Sequence, residues 1–263
     1  MKLDPSFRSG MSSKSDLRGA MDANTPVGVV AGNLTTSQLI MSLPHYLNRG
    51  GRVFIDSGAF AAERTNAELD WDEILAKYLT IAELTDHPEN LFVVAPDKIG
   101  KQIETLALLR VHQESLQTIA RRGANIIIPL QCGNPPAATM LAAVREILGH
   151  NLFIAGIPSN KAAMSIIECR TLRHHAFHIL GRVQVDECQA ARVSALCFHN
   201  PMAQVSADAN WLRSRLDLVR KLTIAEKETP SPSPMLADHP RVRAIRNAIL
   251  GDGVWGNARR AVI

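Results

Sequence analysis

The chain is predicted to be an α/β protein of the (β/α)8-type TIM barrel class, complete or lacking one strand, with a basic helical extension at its C-terminal end. Three observations predict it. Short apolar runs without polar alternation, such as Val53-Phe54-Ile55 and Leu91-Phe92-Val93-Val94, read as strands covered on both faces. Segments with helical apolar spacing separate them, so that strands recur every ~20 to 40 residues, the spacing of right-handed βαβ units. A length of 263 residues with 46% hydrophobic content suits one large domain. A doubly wound open sheet is the alternative, and the lack of a Gly-x-Gly-x-x-Gly or Gly-Lys-Ser/Thr motif counts against its nucleotide-binding versions.

Residues 1–24 are polar, Ser-rich and interrupted by Gly, and read as an irregular lead-in. Pro26 to Ala31 is a short apolar strand, and Thr35 to Asn48 a helix stopped by Gly50-Gly51. A strand ending in Asp56 follows. Asp70 to Asp86 places Trp71, Ile74, Leu75, Tyr78, Leu79 and Ala82 at helical spacing, and the next strand ends at Pro96-Asp97. Gln102 to Arg122 reads as one long helix, Asn125 to Gln131 as a strand and Pro136 to Leu148 as a helix. The alternation goes on with strand 151–156, helix 161–172, strand 176–181, helix 186–196 and strand 202–208. That makes seven strands, with an eighth hidden in the lead-in or absent. Residues 25–227 therefore form the expected catalytic domain, including a basic amphipathic helix from Asn210 to Lys227. Residues 228–263 form a Pro/Ser linker at Pro230 to Pro234 and a basic tail carrying Arg241, Arg243, Arg246, Arg259 and Arg260.

Composition excludes several classes. No run of about 18 apolar residues exists for a membrane span, and the N-terminus carries no secretory pattern, so a cytoplasmic protein is expected. Cys132, Cys169, Cys188 and Cys197 are dispersed without a Cys-x-x-Cys pair, which argues against a disulfide framework and against a compact zinc site. Cys188, Cys197 and His199 could form part of another metal site, but Cys on helices more often acts as a small hydrophobe. His174, His175 and His178 read as packed or surface residues. No cofactor and no metal are expected. The net charge of +4 is compatible with a polyanionic partner without requiring one.

The last residues of successive strands are Asp56-Ser57, Asp97, Gln131, Gly156, Gly181 and Asp208. In a parallel barrel all of them face one mouth, where ligands and catalytic side chains gather. Three acids and a Gln around one cavity need a ligand, water or partner to satisfy them. Paired carboxylates in different environments divide into proton donor and nucleophile, and two flanking a glycosidic bond are a recurrent arrangement for sugar transfer.

Phe54-Ile55-Asp56-Ser57-Gly58-Ala59-Phe60 resembles the Asp-Ser-Gly-Gly-Phe strand end of tRNA-guanine transglycosylases and their DpdA-type relatives that place 7-deazaguanines in DNA. Pro96-Asp97, Leu130-Gln131-Cys132-Gly133, Ile154-Ala155-Gly156-Ile157-Pro158, His178-Ile179-Leu180-Gly181 and Val205-Ser206-Ala207-Asp208-Ala209-Asn210-Trp211 are similar to that superfamily's later motifs, in order. The resemblance implies exchange of guanine in DNA for a preQ0-like base. Asp208 would be the nucleophile that forms a glycosyl-aspartate and Asp56 the general acid/base. Ser57, Asp97, Gln131, Gly156 and Ile157 would hold the base, and Arg213 and Arg215 the DNA. The same exchange on tRNA is the nearest alternative, and an inactive nucleic-acid-binding barrel the second. The zinc motif of the tRNA enzymes is missing after Asp208, which favours DNA. Implied partners are DNA, the free 7-deazaguanine base, a second copy of the chain or accessory DNA-modification proteins, and no membrane.

Overall fold

In a computed structural model, residues 3–131, 133–159, 164–181, 187–229 and 235–252 are described. Eight parallel strands close into a barrel in chain order: β1 (Ser6–Ser9), β2 (Val27–Val30), β3 (Val53–Asp56), β4 (Leu91–Val94), β5 (Asn125–Pro129), β6 (Ile154–Pro158), β7 (Ala176–Leu180) and β8 (Gln204–Asn210). The eighth strand is β1, inside the expected irregular lead-in. It pairs with β8 at four positions, Ser6 with Ala207 through Ser9 with Asn210, but with β2 at Arg8 and Val27 alone.

Alternation along each strand sorts two cores. One set points inward and fills the barrel: Phe7, Phe54, Phe92, Val94, Ile127, Ile154 and Ala176. The other set, including Val29, Ile55, Val93, Ile128, Ile157, Ile179 and Ala207, packs against the helices in a larger cluster. Since Phe54 and Phe7 point inward, parity sends Asp56 inward two residues later. Asp208 pairs with Phe7 in the β1–β8 ladder and lies at the mouth end of β8.

The helices between strands follow the apolar spacing, with shifted ends. α1 (Lys14–Asp22) is capped by Ser13, whose hydroxyl accepts from the Asp16 N–H. The segment read as one helix over 35–48 is a π-helical stretch, Gln38–Ser42, running into α2 (Leu43–Asn48). α3 (Ala59–Thr65) begins after Gly58, whose φ of 87° lies in the left-handed region and lets the chain turn sharply off β3. α4 (Trp71–Leu84) is capped by Asp70. The expected long helix over 102–122 is two, α5 (Gln102–Val111) and α6 (Gln113–Arg121), broken at His112. α7 (Ala137–Leu148) agrees with expectation. α8 (Ile166–Thr171) opens at a Ser165/Glu168 capping box, and the expected start at Lys161 lies outside the described residues. α9 (Glu187–His199) runs longer than expected, and its expected start at Asp186 is likewise outside them.

After β8 come α10 (Trp211–Ser214) and α11 (Leu216–Glu228), where one helix was expected, and then α12 (Pro240–Gly251). The linker at 230–234 and the arginines at 259 and 260 lie outside the described residues. α12 packs on α1 and α11 through buried Val242, Ala244, Ile245, Ala248 and Ile249. Ion pairs tie it down: Arg241 to Asp16 at 2.8 Å and Arg243 to Glu226 at 2.6 Å. Just past its end, Asp252 accepts from Trp211 Nε1 at 2.7 Å and from Arg215 Nε at 2.8 Å. Arg8 is buried beside Asp252, and burial lowers its pKa to about 10. Among the described residues no helix is long and apolar enough to cross a membrane.

Candidate functional site

The mouth at the carboxyl ends of the strands holds three acids on β3, the loop after β4, and β8. Asp208 is buried and held by three donors. The Gly181 N–H reaches its Oδ1 at 2.7 Å, His178 Nε2 reaches the same oxygen at 3.3 Å, and the Ser9 hydroxyl reaches Oδ2 at 3.3 Å. Gly28, on the neighbouring strand, has no Cβ to collide with Ser9 Oγ, and so leaves room for it. His178 is fully buried on β7, stacked on Phe54 with ring centroids 5.0 Å apart and planes 11° apart, and its Nδ1 lies 2.8 Å from Ser206 Oγ. A carboxylate only accepts, so Nε2 carries the hydrogen that reaches Asp208.

Asp56 is partly exposed at the mouth, and its Oδ1 accepts from the Gly58 N–H at 2.9 Å. Burial raises its pKa to about 6 against that hydrogen bond, and the nearby Asp208 adds to the rise. Asp97 is 4% exposed, and burial, with Asp56 adding, lifts its pKa to about 7. Its Oδ2 accepts from Gln131 Nε2 at 2.8 Å, while Gln131 Oε1 accepts from the Gly100 N–H at 2.8 Å. Its Oδ1 is buried and has no hydrogen-bond partner among the described residues. The same holds for the hydroxyl of Tyr78, a fully buried residue of α4 whose pKa is driven far up by burial and by Asp56 and Asp97. A buried polar atom without a partner costs free energy, and two of them lie among these mutually coupled acids.

Most of the expected rim therefore comes together: Asp56, Asp97, Gln131 and Asp208. Ser57 is buried and its hydroxyl accepts from the Ala59 N–H at 3.3 Å, serving the turn into α3. Gly156 lies on β6 with the inward-facing Ile127 and Leu180 beside its open side, below the mouth. The Ile157 side chain belongs to the outer core and faces the helices. Arg215 is engaged by Asp252, and Arg213 is exposed in α10. His178 and Tyr78 are the members that the sequence reading missed. A cavity of about 410 Å³ opens beside Asp97, between α3, α4 and α5. A larger depression of about 960 Å³ lies at the opposite end of the barrel, near Phe92, Ile154 and Gln204. It is remote from the acids, and its ionisable wall residues Asp4, Arg52, Glu89 and His175 are exposed or partly exposed, so the carboxyl-lined end is the candidate site. No group of three or more His, Cys, Asp or Glu among the described residues is arranged to hold a metal ion, Cys188, Cys197 and His199 included.

Fold and rim together define a (β/α)8 barrel with an acidic mouth. Solved structures with the same barrel include the YdjI aldolase from Escherichia coli K12, with a TM-score of 0.57 and 10% identity over 95% of this chain and 90% of that one. A xylose isomerase domain protein from Alicyclobacillus acidocaldarius (TM-score 0.48, 13% identity, 95% and 97% covered) and a D-allulose 3-epimerase from Methylomonas sp. (0.46, 11%, 96% and 98%) are more distant. No protein-family model matches the sequence, and no curated protein does. These findings overturn the resemblance to guanine transglycosylases: the YdjI barrel that shares the fold is an aldolase, and neither a family model nor a curated protein supports that superfamily. The inferred guanine exchange in DNA or tRNA falls with it, and so do the glycosyl-aspartate role of Asp208 and the 7-deazaguanine substrate. The physical reason is that acids at the carboxyl ends of some strands are what any parallel barrel with an acidic mouth displays, so Asp-Ser-Gly and Pro-Asp at strand ends do not single out one family.

Proposed function

We propose that this chain is an enzyme that moves protons on a small hydroxylated carbonyl compound of the sugar kind. Asp56 is the base, Asp97 the acid, and Asp208 a fixed acceptor at the mouth. The observation that carries the reading is the pair of neighbouring carboxyls whose pKa values are raised to about 6 and about 7. A proton-transfer group works best with a pKa near the working pH, and Asp97, the more buried of the two and held at Oδ2 by Gln131, is assigned the proton donor. Asp208 and Gln131 supply polar groups that would orient hydroxyls. An aldolase among the similar barrels makes sugar carbonyl compounds the first substrates to try.

The test is deuterium exchange at carbon next to a carbonyl, followed by proton NMR in heavy water over a panel of aldoses, ketoses and their phosphates. At least one member should exchange or cleave. Asp97→Asn and Asp56→Asn should each slow that reaction by about 100-fold or more. Exchange undiminished in both variants, or none across the panel, would sink the reading.

A further inference from the structure

The rim where β8, β1 and β2 meet holds a polar corner of its own. Ser9 lies two residues past the inward-pointing Phe7 and pairs with Asn210 in the β1–β8 ladder, so its side chain points into the mouth, where the residue is partly exposed. Its hydroxyl donates to Oδ2 of Asp208 at 3.3 Å. Gly28 makes room for that hydroxyl, since a Cβ there would collide with Ser9 Oγ. Gly10, with a φ of 97°, turns the chain off β1 where a Cβ would meet Asn210 Oδ1. Asp208 turns its other oxygen inward: Oδ1 takes the Gly181 N–H at 2.7 Å and Nε2 of the fully buried His178 at 3.3 Å. Oδ2 is left on the side of the partly exposed Ser9, and the Asp208 side chain keeps 8% of its surface open. Among the described residues Oδ2 has one donor, and Ser9 Oγ, having given its hydrogen to Oδ2, keeps its own lone pairs. The corner thus presents two acceptors 3.3 Å apart at the edge of the mouth.

We propose that Ser9 and Asp208 form a subsite for a vicinal diol, one hydroxyl of which donates to Asp208 Oδ2 and its neighbour to Ser9 Oγ. Oxygens on adjoining carbons in a gauche arrangement lie about as far apart as a hydrogen-bonded pair, so both bonds form at once. A single hydroxyl meets one of the two acceptors and leaves the other to water. An ammonium group would answer a bare charge, but this carboxylate already takes three donors, and what the corner lacks is a matched pair of hydrogens. Asp208 is near enough to Asp56 to raise its pKa, so a diol seated here is held beside the proposed base. That the diol belongs to the substrate rests on the proton-transfer reading above; the subsite itself does not.

Protein labelled with carbon-13 at its aspartate carboxyls and nitrogen-15 at its amides, titrated with cis-cyclopentane-1,2-diol and separately with the trans isomer, tests this by NMR. The two probes differ only in how far apart their hydroxyls stand. The cis isomer should move the Asp208 carboxyl and the Ser9 amide and bind about fivefold tighter than the trans. Ser9→Ala, at a partly exposed position, should weaken the cis isomer about fivefold and leave the trans within about twofold. The amide spectrum of the variant reports that its fold is kept. Equal affinity for the two isomers, no cis-induced shift at Asp208, or cis binding that survives Ser9→Ala overturns the proposal, as does tighter binding of cyclopentylammonium at the same carboxyl. The readout involves no turnover. Cis-diol binding at Asp208 without any proton exchange on the sugar panel would sink the enzymatic reading and leave this subsite standing, while exchange without such binding would do the reverse.

Discussion

The imidazole of His178 on β7 donates from Nε2 to Oδ1 of Asp208 on β8 across 3.3 Å, inside the barrel and out of contact with solvent. Ser206 fixes the other ring nitrogen at 2.8 Å, and Phe54 covers the ring face. The ring therefore has one orientation, and it aims the carboxyl at the mouth. His178→Ala should remove a fully buried aromatic ring and leave Ser206 and Asp208 short of a partner, costing about 3 kcal/mol of stability. Urea denaturation measures it, and a loss under about 1 kcal/mol would show that the ring is not the keystone described.

The raised acids set a pH dependence of stability. Asp97 binds its proton more tightly folded, at about 7, than its ordinary 3.8, and Asp56 does so at about 6. Between pH 4 and 7 the folded chain holds protons that the unfolded chain has lost, so stability contributed by these groups is full below about 4 and falls as pH rises to about 7. Asp97→Asn should flatten that fall and exceed the unmodified protein in melting temperature at pH 8. Melting curves at half-unit pH steps check it, and parallel curves for the two proteins would refute it.

Turnover should follow a bell. Asp56 acts ionised and Asp97 protonated, so activity peaks between about 6 and 7 and falls on either side. The Gln131 hydrogen bond favours ionised Asp97. Gln131→Leu should push the Asp97 pKa higher and carry the alkaline limb of the bell with it. Carbon NMR titration of labelled aspartate carboxyls reads the shift directly, and an unchanged Asp97 titration counts against the assignment.

Asp252 gathers the C-terminal helix onto the barrel through Trp211 and Arg215. Asp252→Ala should cost about 2 kcal/mol, and the Arg215→Ala, Asp252→Ala double variant should lose less than the sum of the two singles. Thermal denaturation of the four proteins completes the cycle. Additive losses would show that the pair does not act as a unit.

The strand ends were legible because an apolar run stopped by an acid is a local signal, and Asp56, Asp97 and Asp208 each carry it. β1 was not legible. Of Ser6-Phe7-Arg8-Ser9 only Phe7 is apolar, and the buried Arg8 takes its counter-charge from Asp252, far along the chain. His178 was read as a packed or surface histidine because its partner lies on the next strand, 30 residues on, and only barrel closure joins them. The break at His112 has neither Gly nor Pro beside it. The basic helix and tail suggested a polyanion, while Asp16, Glu226 and Asp252, which engage Arg241, Arg243 and Arg215, sit in distant or unremarkable stretches of sequence. The family resemblance misled because it was built on the same strand-end acids that mark the fold.

The uneven pairing of β1, four positions to β8 and one to β2, makes the barrel a ring with a single latch. Fluctuation is expected where the ladder is thinnest, so breathing begins between Arg8 and Val27. Ser9 then travels with β8 and not away from it, and Asp208 keeps its Ser9, His178 and Gly181 contacts while the ring loosens. The ring can thus admit water toward Phe7 from one side without disarming its acidic mouth.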